Sequence, residues 1–345
     1  MSIHFASSTE IASWNTLVAS NPDGGNVLQG KEFMEQKAEA GWAIRYVLVD
    51  ERAVAIMEKY VFPLGKVWYV PKGPSTTDVD DLGALLSELV PFARKNGVFS
   101  LKIEPELDHE TDLSPLVAKY GLHRTNPIQY NFSTVLVDLS PDLETVMKNL
   151  PQKGRHAIRR AERDGVTVQK VEPTDENCQI MYDLFRETAD DAHFAIRPAE
   201  YYQRFYRHYG DNGGLFFAYF EGKPVAGAFA MVLGRKSMYK DGASVRQRTA
   251  YGASHLLQWK VIEWAKSKGS KEHDLAGVPP IAQIHDENHP FYGMGRFKTS
   301  FNKTVTEYVG TYNIPVARLR GVFWDRFYEK VVRRLYFKFR GQAWY

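Results

Sequence analysis

Residues Leu215–Lys240, LFFAYFEGKPVAGAFAMVLGRKSMYK, divide into three strands, Leu215–Phe220, Pro224–Leu233 and Lys236–Lys240, joined by connections short enough for an antiparallel meander. A helix follows over Tyr251–Lys268, then another strand over Glu272–Leu275. Helices are expected upstream, around Leu143–Asp164 and Asn177–Arg186. The first half of the chain has the same order: strands Ile44–Val49, Ala53–Tyr60 and Lys66–Val70, a helix over Asp78–Asn96 and a strand over Phe99–Ile103. The reading is an α/β (α+β) chain of two similar units in tandem. The repeat is one of pattern, because sequence identity between the halves is negligible. We place the first unit at residues 1–145 completed by 317–345, and the second at 146–316.

With 345 residues and 44% hydrophobic composition, the chain can bury two cores. Its 44 Lys and Arg against 41 Asp and Glu leave a net charge of only +3, so basicity is local and a histone-like role is excluded. The N-terminus MSIHFASSTEIASWN has no cationic region followed by an apolar core, and no stretch approaches the roughly 20 apolar residues of a spanning helix. A cytoplasmic protein is expected. The one cysteine, Cys178, lies in a polar helical context and reads as structural. His285 and His289 in HDENH lack metal-ligand spacing and a partner cluster. With no P-loop, nucleophile elbow or dinucleotide fingerprint either, neither a metal nor a cofactor is expected.

Local charge is concentrated in LPQKGRHAIRRAERDGVTV (Leu150–Val168), where Lys153, Arg155, Arg159, Arg160 and Arg163 are offset only by Glu162 and Asp164. Arg155, Arg159 and Arg163 recur every fourth residue and form one helical stripe, while Ala157, Ile158 and Ala161 can turn to a core. Planar guanidinium forks at that spacing suit phosphate oxygens, which points to a phosphate or RNA contact. The competing reading is a solvated helix face.

A helical pair, a meander, a helix and another strand is the pattern of an acyltransferase unit of the GNAT type. Such units bind coenzyme A pyrophosphate through a Q/R-x-x-G-x-G/A loop at the helix start. Here SVRQRTAYGASHLLQW puts Tyr251 at the required glycine and Gly252 one residue late, which weakens that reading.

The chain resembles the FemABX peptidyltransferases, which move an amino acid from aminoacyl-tRNA onto the stem peptide of a peptidoglycan precursor. Segments Asn26–Trp42, Tyr69–Pro74 (YVPKGP), Lys102–Glu106 (KIEPE), Lys153–Val166, Phe194–Tyr202 (FAIRPAEYY), Leu256–Gly269 and Phe291–Phe301 (FYGMGRFKTSF) carry the resemblance in family order. The chain length leaves no room for a coiled-coil arm, so a compact FemX-like form of two GNAT-like units is implied.

The resemblance gives individual residues expected roles. Lys37 would contact the diphosphate of the nucleotide-linked precursor. Arg197 and Tyr201, four residues apart, would line the precursor groove if Pro198 opens a helix. The rival for Tyr201 is packing, since Tyr202, Phe205, Tyr206 and Tyr209 share that segment. Tyr239 is a candidate wall of the same groove. Phe297 and Lys298 would lie at the aminoacyl end, the lysine offsetting the tetrahedral oxyanion. The competing reading for Lys298 is an ordinary strand-edge lysine. Glu104, where most relatives carry aspartate, could orient or deprotonate the attacking amine. The basic stripe would hold tRNA phosphates.

The expected partners are aminoacyl-tRNA and UDP-MurNAc-pentapeptide or lipid II. The competitors are a coenzyme A-dependent N-acyltransferase and a non-catalytic RNA-binding module. Finally, the tail Arg318–Arg340 interleaves eight Lys or Arg with aromatic and aliphatic residues. It reads either as a helix packing back on the first unit or as a surface helix touching anionic lipid at the inner face of the membrane.

Overall fold

The computed structural model describes residues 2–129, 132–192, 196–245, 250–340 and 344–345. Two compact units emerge, residues 1–132 with 308–345, and 133–307.

Along the first unit run β1 (Ile3–Phe5), α1 (Ser8–Ala12), α2 (Trp14–Ala19), α3 (Lys31–Glu39), β2 (Ala43–Val49), β3 (Arg52–Val61) and β4 (Gly65–Val70). They are followed by α4 (Val79–Lys95), β5 (Val98–Ile103), α5 (Ser114–Tyr120) and β6 (His123–Thr125). The second unit opens with β7 (Ser133–Asp138), α6 (Leu143–Asn149), α7 (Gln152–Arg163), β8 (Thr167–Val171), α8 (Asp175–Ala192) and α9 (Ala199–His208). The meander β9 (Gly213–Phe220), β10 (Lys223–Leu233) and β11 (Lys236–Ser244) comes next, then α10 (Ala253–Ser267), β12 (Glu272–Gly277), α11 (Tyr292–Lys298) and β13 (Thr306–Glu307). The chain then returns to the first unit with β14 (Thr311–Ile314), α12 (Arg318–Phe323), a π-helical turn (Trp324–Tyr328) and α13 (Glu329–Arg340).

Each unit is built on one seven-stranded sheet, ordered β1-β2-β3-β4-β5-β14-β6 in the first and β8-β9-β10-β11-β12-β7-β13 in the second. The orders match position by position, with the parallel pairs β4/β5 and β11/β12 at equivalent places. The strand at the sixth place arrives from the end of the chain in the first sheet (β14) and from before the unit's helices in the second (β7). This explains why the unit boundaries fall at 132/133 and 307/308 rather than at the expected 145/146 and 316/317. β7 pairs with β12, and β14 pairs with β5 and β6, so their backbone hydrogen bonds assign them.

The helix joining each parallel pair is fixed by its apolar period. In α4, Leu82, Leu85, Leu86, Leu89, Val90 and Ala93 are buried, and Asp78 caps the start by accepting from the Asp81 amide. In α10, Leu256, Leu257, Val261, Ile262 and Ala265 join the second unit's core with Val135, Phe216, Ala228 and Leu275. The helical stretch expected around Leu143–Asp164 is two helices, separated at Leu150–Pro151. The helices of the second unit do not exceed the 18 residues of α8, so no coiled-coil arm is present among them.

Candidate functional site

The second sheet opens between its two parallel strands. β11 pairs with β12 only over Lys236–Met238 and Glu272–Asp274, although β11 continues to Ser244. A bulge opposite Phe229/Ala230 places Lys240 out of register, so Tyr239 and Gly242 fall on one side. The tyrosine hydroxyl then lies where a β-carbon at residue 242 would be, a position only glycine leaves empty. Burial, with the charge of Asp241 behind it, holds the Tyr239 phenol far above its usual range.

Lys298 ends α11 beside that opening. Its side chain is buried, its Nζ donates to the Gly277 carbonyl at 2.9 Å, and the Tyr239 ring centre is 5.8 Å away. Ala276, at φ 60°, holds the strained left-handed turn that precedes this carbonyl. Asp274 accepts from the Ala276 amide at 2.7 Å and from the Thr134 hydroxyl. Burial pushes the Lys298 ammonium down to about 8, against the opposing pull of Asp274. A lysine in this state can donate to a developing oxyanion at neutral pH and loses its charge just above it. It sits at a helix end rather than at a strand edge. Of the two glycines in the GMG segment before it, Gly295 is closely approached, since a β-carbon there would meet Pro279 at 2.9 Å, whereas Gly293 faces open space.

Phe297 packs edge-on to His255 at 5.0 Å and to Phe301 at 5.5 Å. His255, near the start of α10, was not singled out from sequence. Its Nε2 is buried with no hydrogen-bond partner among the described residues, and burial together with nearby Lys153 lowers its pKa to about 4. Its sequence signal was a lone histidine opening an apolar helix, and Asp274's was a carboxylate inside a buried strand.

The basic helix α7 buries Ala157, Ile158 and Ala161 as expected and exposes Lys153, Arg159, Arg160 and Arg163. Arg155 differs: its guanidinium donates to the carbonyls of Lys148 (2.7 Å) and Leu150, capping the end of α6. Arg160 stacks on Tyr251 at 4.4 Å and pairs with Asp164, which also faces Arg163. Gly154 brings this helix onto the segment that follows Lys298, since a β-carbon there would lie 2.0 Å from the Ser300 carbonyl oxygen. Gly154→Ala should therefore displace α7 and the 297–301 segment together. We expect a loss of about 1–3 kcal/mol and reduced turnover in the folded fraction, read by thermal melting alongside an activity assay. Unchanged melting would refute that contact.

Pro198 stands at the N-cap of α9, and the Arg197 guanidinium lies 4.5 Å from the Tyr201 ring centre. Tyr201 stacks on Phe205, whose other neighbours include Lys240 at 5.2 Å. Tyr202, Phe205 and Tyr206 are buried, and Tyr206 donates to Asp241 at 3.3 Å. Part of this aromatic segment is thus core, with Arg197 and Tyr201 at its margin. Phe194 and Ala195 of the FAIRPAEYY motif, with His193 before them, lie outside the described residues, as do residues 246–249.

In the first unit, Lys37 is buried near the end of α3 with its ammonium 5.1 Å from the Phe33 ring centre. Glu104 follows β5 and is also buried. It accepts from Tyr69 Oη at 2.6 Å, Thr311 Oγ1 at 2.8 Å and the Ile128 amide at 3.0 Å, with the Gln129 and Lys72 amides farther out. This carboxylate is occupied by donors of its own unit. Among the described residues no group of three His, Cys, Asp or Glu side chains is placed to hold a metal.

A family model described as the FemAB family matches residues 118–223 and 220–325. The UDP-N-acetylmuramoylpentapeptide-lysine N(6)-alanyltransferase of Weissella viridescens is 29% identical over 265 residues, 70% of this chain and 77% of that protein. The lipid II:glycine glycyltransferase of Staphylococcus saprophyticus is 21% identical over 87% of this chain and 90% of its own. The crystal structure of FemX superposes with a TM-score of 0.78 at 18% identity, covering 93% of this chain and 99% of that one, which supports the two-sheet α/β architecture. The chain belongs to the FemAB family.

Proposed function

We propose that this protein transfers an amino acid from aminoacyl-tRNA to the stem-peptide amine of a peptidoglycan precursor, UDP-MurNAc-pentapeptide or lipid II, in the cytoplasm. The observation that carries this reading is Lys298, a buried lysine brought to about 8 at the opening of the second sheet, in a family whose relatives are named alanyl- and glycyltransferases. The acceptor amine attacks the aminoacyl ester carbon, negative charge develops on the carbonyl oxygen, and the Lys298 ammonium stabilises it. The ester bond to the tRNA ribose breaks, and the ribose oxygen takes up the proton released by the amine. The ester is already activated, so no nucleotide hydrolysis is needed. Exposed Arg159 and Arg163 are offered to tRNA phosphates, with Lys153 and Arg160 beside them, while Arg155 caps the end of α6. Lys37, Arg197, Tyr201 and Tyr239 are assigned to the precursor, and Phe297 to orienting the lysine's segment.

The coenzyme A alternative has an additional difficulty. The Ala157 carbonyl packs against Gly252 at the start of α10, where the pyrophosphate of such a cofactor would need open backbone amides.

The test is transfer of radiolabelled amino acids from a pool of charged tRNAs to UDP-MurNAc-pentapeptide and, in parallel, to lipid II, with an RNase-treated control. RNase-sensitive labelling of either acceptor is expected. Labelling of neither would overturn the reading.

A further inference from the structure

The C-terminal segment is sorted into rows. Leu319, Phe323, Phe327, Val331, Leu335 and Phe339 recur every fourth residue and are all exposed, Leu319 by 88%, Phe327 by 64% and Phe339 by 77%. The adjacent row, one residue earlier, holds Arg326, Lys330, Arg334 and Lys338, also exposed. On the opposite side, Gly321, Trp324 and Glu329 are buried against the first unit.

In a regular α-helix a four-residue row drifts by about 40° per step. Over five steps such a row would wrap onto the anchored side. The π-helical turn at Trp324–Tyr328 takes more residues per turn and rotates the row back, so the apolar and cationic rows stay in water from α12 through α13.

The anchoring also removes the negative charge. Asp325 is held by His123 at 2.9 Å and by the Asn313 amide, and Glu329 by Lys102 at 3.3 Å and by the Tyr345 hydroxyl at 2.6 Å. Both acids are turned inward and paired, leaving the outward rows purely cationic and apolar. The apolar surface continues beyond the helix. The Phe323 ring stacks on Tyr328, whose hydroxyl donates to the Phe62 carbonyl, and Phe62 and Tyr60 on the β3–β4 hairpin are 76% and 64% exposed.

We propose that this face docks on an anionic lipid bilayer, with the apolar row and Phe62 entering the headgroup boundary and the cationic row lying at phosphate level. Two parallel rows, one apolar and one basic, are what a helix lying in that interface requires. RNA would satisfy the basic row but leave six large apolar side chains in water, and a second copy of the same face would oppose cation to cation. The proposal concerns the first unit alone and does not depend on the acyl-transfer reading.

The test is flotation of the full-length protein with phosphatidylcholine vesicles and with vesicles containing phosphatidylglycerol. Wild type should float with the anionic vesicles. Lys330→Gln, Arg334→Gln and Lys338→Gln together should lower that partition about 100-fold while leaving the weak partition to phosphatidylcholine unchanged. Phe327→Ser, Leu335→Ser and Phe339→Ser together should lower both by at least about tenfold. These positions are exposed, so both triple variants should melt like wild type and retain transfer to a soluble nucleotide-linked acceptor. Absence of flotation by wild type would overturn the proposal, as would flotation indifferent to the apolar triple. So would a role of these side chains in tRNA retention or in dimer formation without vesicle binding. If wild type floats but transfers nothing, the docking surface stands and the enzymatic reading falls.

Discussion

Lys298→Met should lose at least about 100-fold in turnover, the usual effect of removing one oxyanion donor, while raising the protein's stability. The gain follows from the depressed pKa. The unfolded chain holds its proton to about 10.5 and the folded chain only to about 8, so the unfolded state binds more protons between those values. Wild-type stability should therefore rise as pH increases from 8 to 10.5, and the full penalty applies at neutral pH. A displacement of this size corresponds to roughly 3 kcal/mol. Loss of the bond to the Gly277 carbonyl returns about 1 kcal/mol, leaving a net stabilisation of about 2 kcal/mol. Wild-type kcat should fall along a basic limb near pH 8, as the ammonium is lost, and the residual activity of the variant should lack that limb. KM for the acceptor should change little, because the interaction is made in the transition state. A variant that turns over normally would remove Lys298 from the chemistry. One that melts lower would show that its buried charge is compensated.

Regular elements were legible because their signals are local. The apolar period of α4 and the three strands of Leu215–Lys240 need only neighbouring residues to be read, and their bounds in the structure differ by a few residues. The inward face of α7 followed from spacing in the same way. What spacing could not give was the fate of individual polar groups. Arg155 lies in the stripe by periodicity, but the carbonyls left open at the end of α6 lie within its reach and take it. The break at Leu150–Pro151 is marked in the sequence by Pro151, which disfavours helical backbone at the residue before it. The boundaries were missed for a longer-range reason. β7 and β14 are short strands whose assignment depends on partners over a hundred residues away, such as Asp274 opposite Leu136 and Leu101 opposite Ile314. The opening between β11 and β12 depends on a bulge at Lys240 that leaves no compositional mark beyond Gly242.

Glu104→Ala should destabilise the first unit by about 3–5 kcal/mol, a larger effect than any on chemistry. Removing the carboxylate orphans the buried Tyr69 and Thr311 hydroxyls, each of which loses an acceptor that water cannot replace, and frees the half-buried Ile128 amide as well. Thr311 lies on β14, which returns to the first sheet from the end of the chain, so the loss also loosens the strand that completes that sheet. Glu104→Gln separates the two roles suggested by the sequence. A catalytic base replaced by an amide would leave melting close to wild type and abolish turnover. A latch would behave otherwise: one amide oxygen still accepts, but the NH2 group now faces donors, so melting falls while turnover per folded molecule, measured well below the transition, stays within about tenfold of wild type. The second outcome is expected, because every oxygen of this carboxylate is already committed to donors of its own unit. Glu104→Asp should be intermediate in melting: shortened by one methylene, the carboxylate cannot reach Tyr69 on β4 and Thr311 on β14 at once. A full-strength latch with aspartate would mean that the sheet adjusts, and a wild-type melt with lost turnover would restore Glu104 as the base.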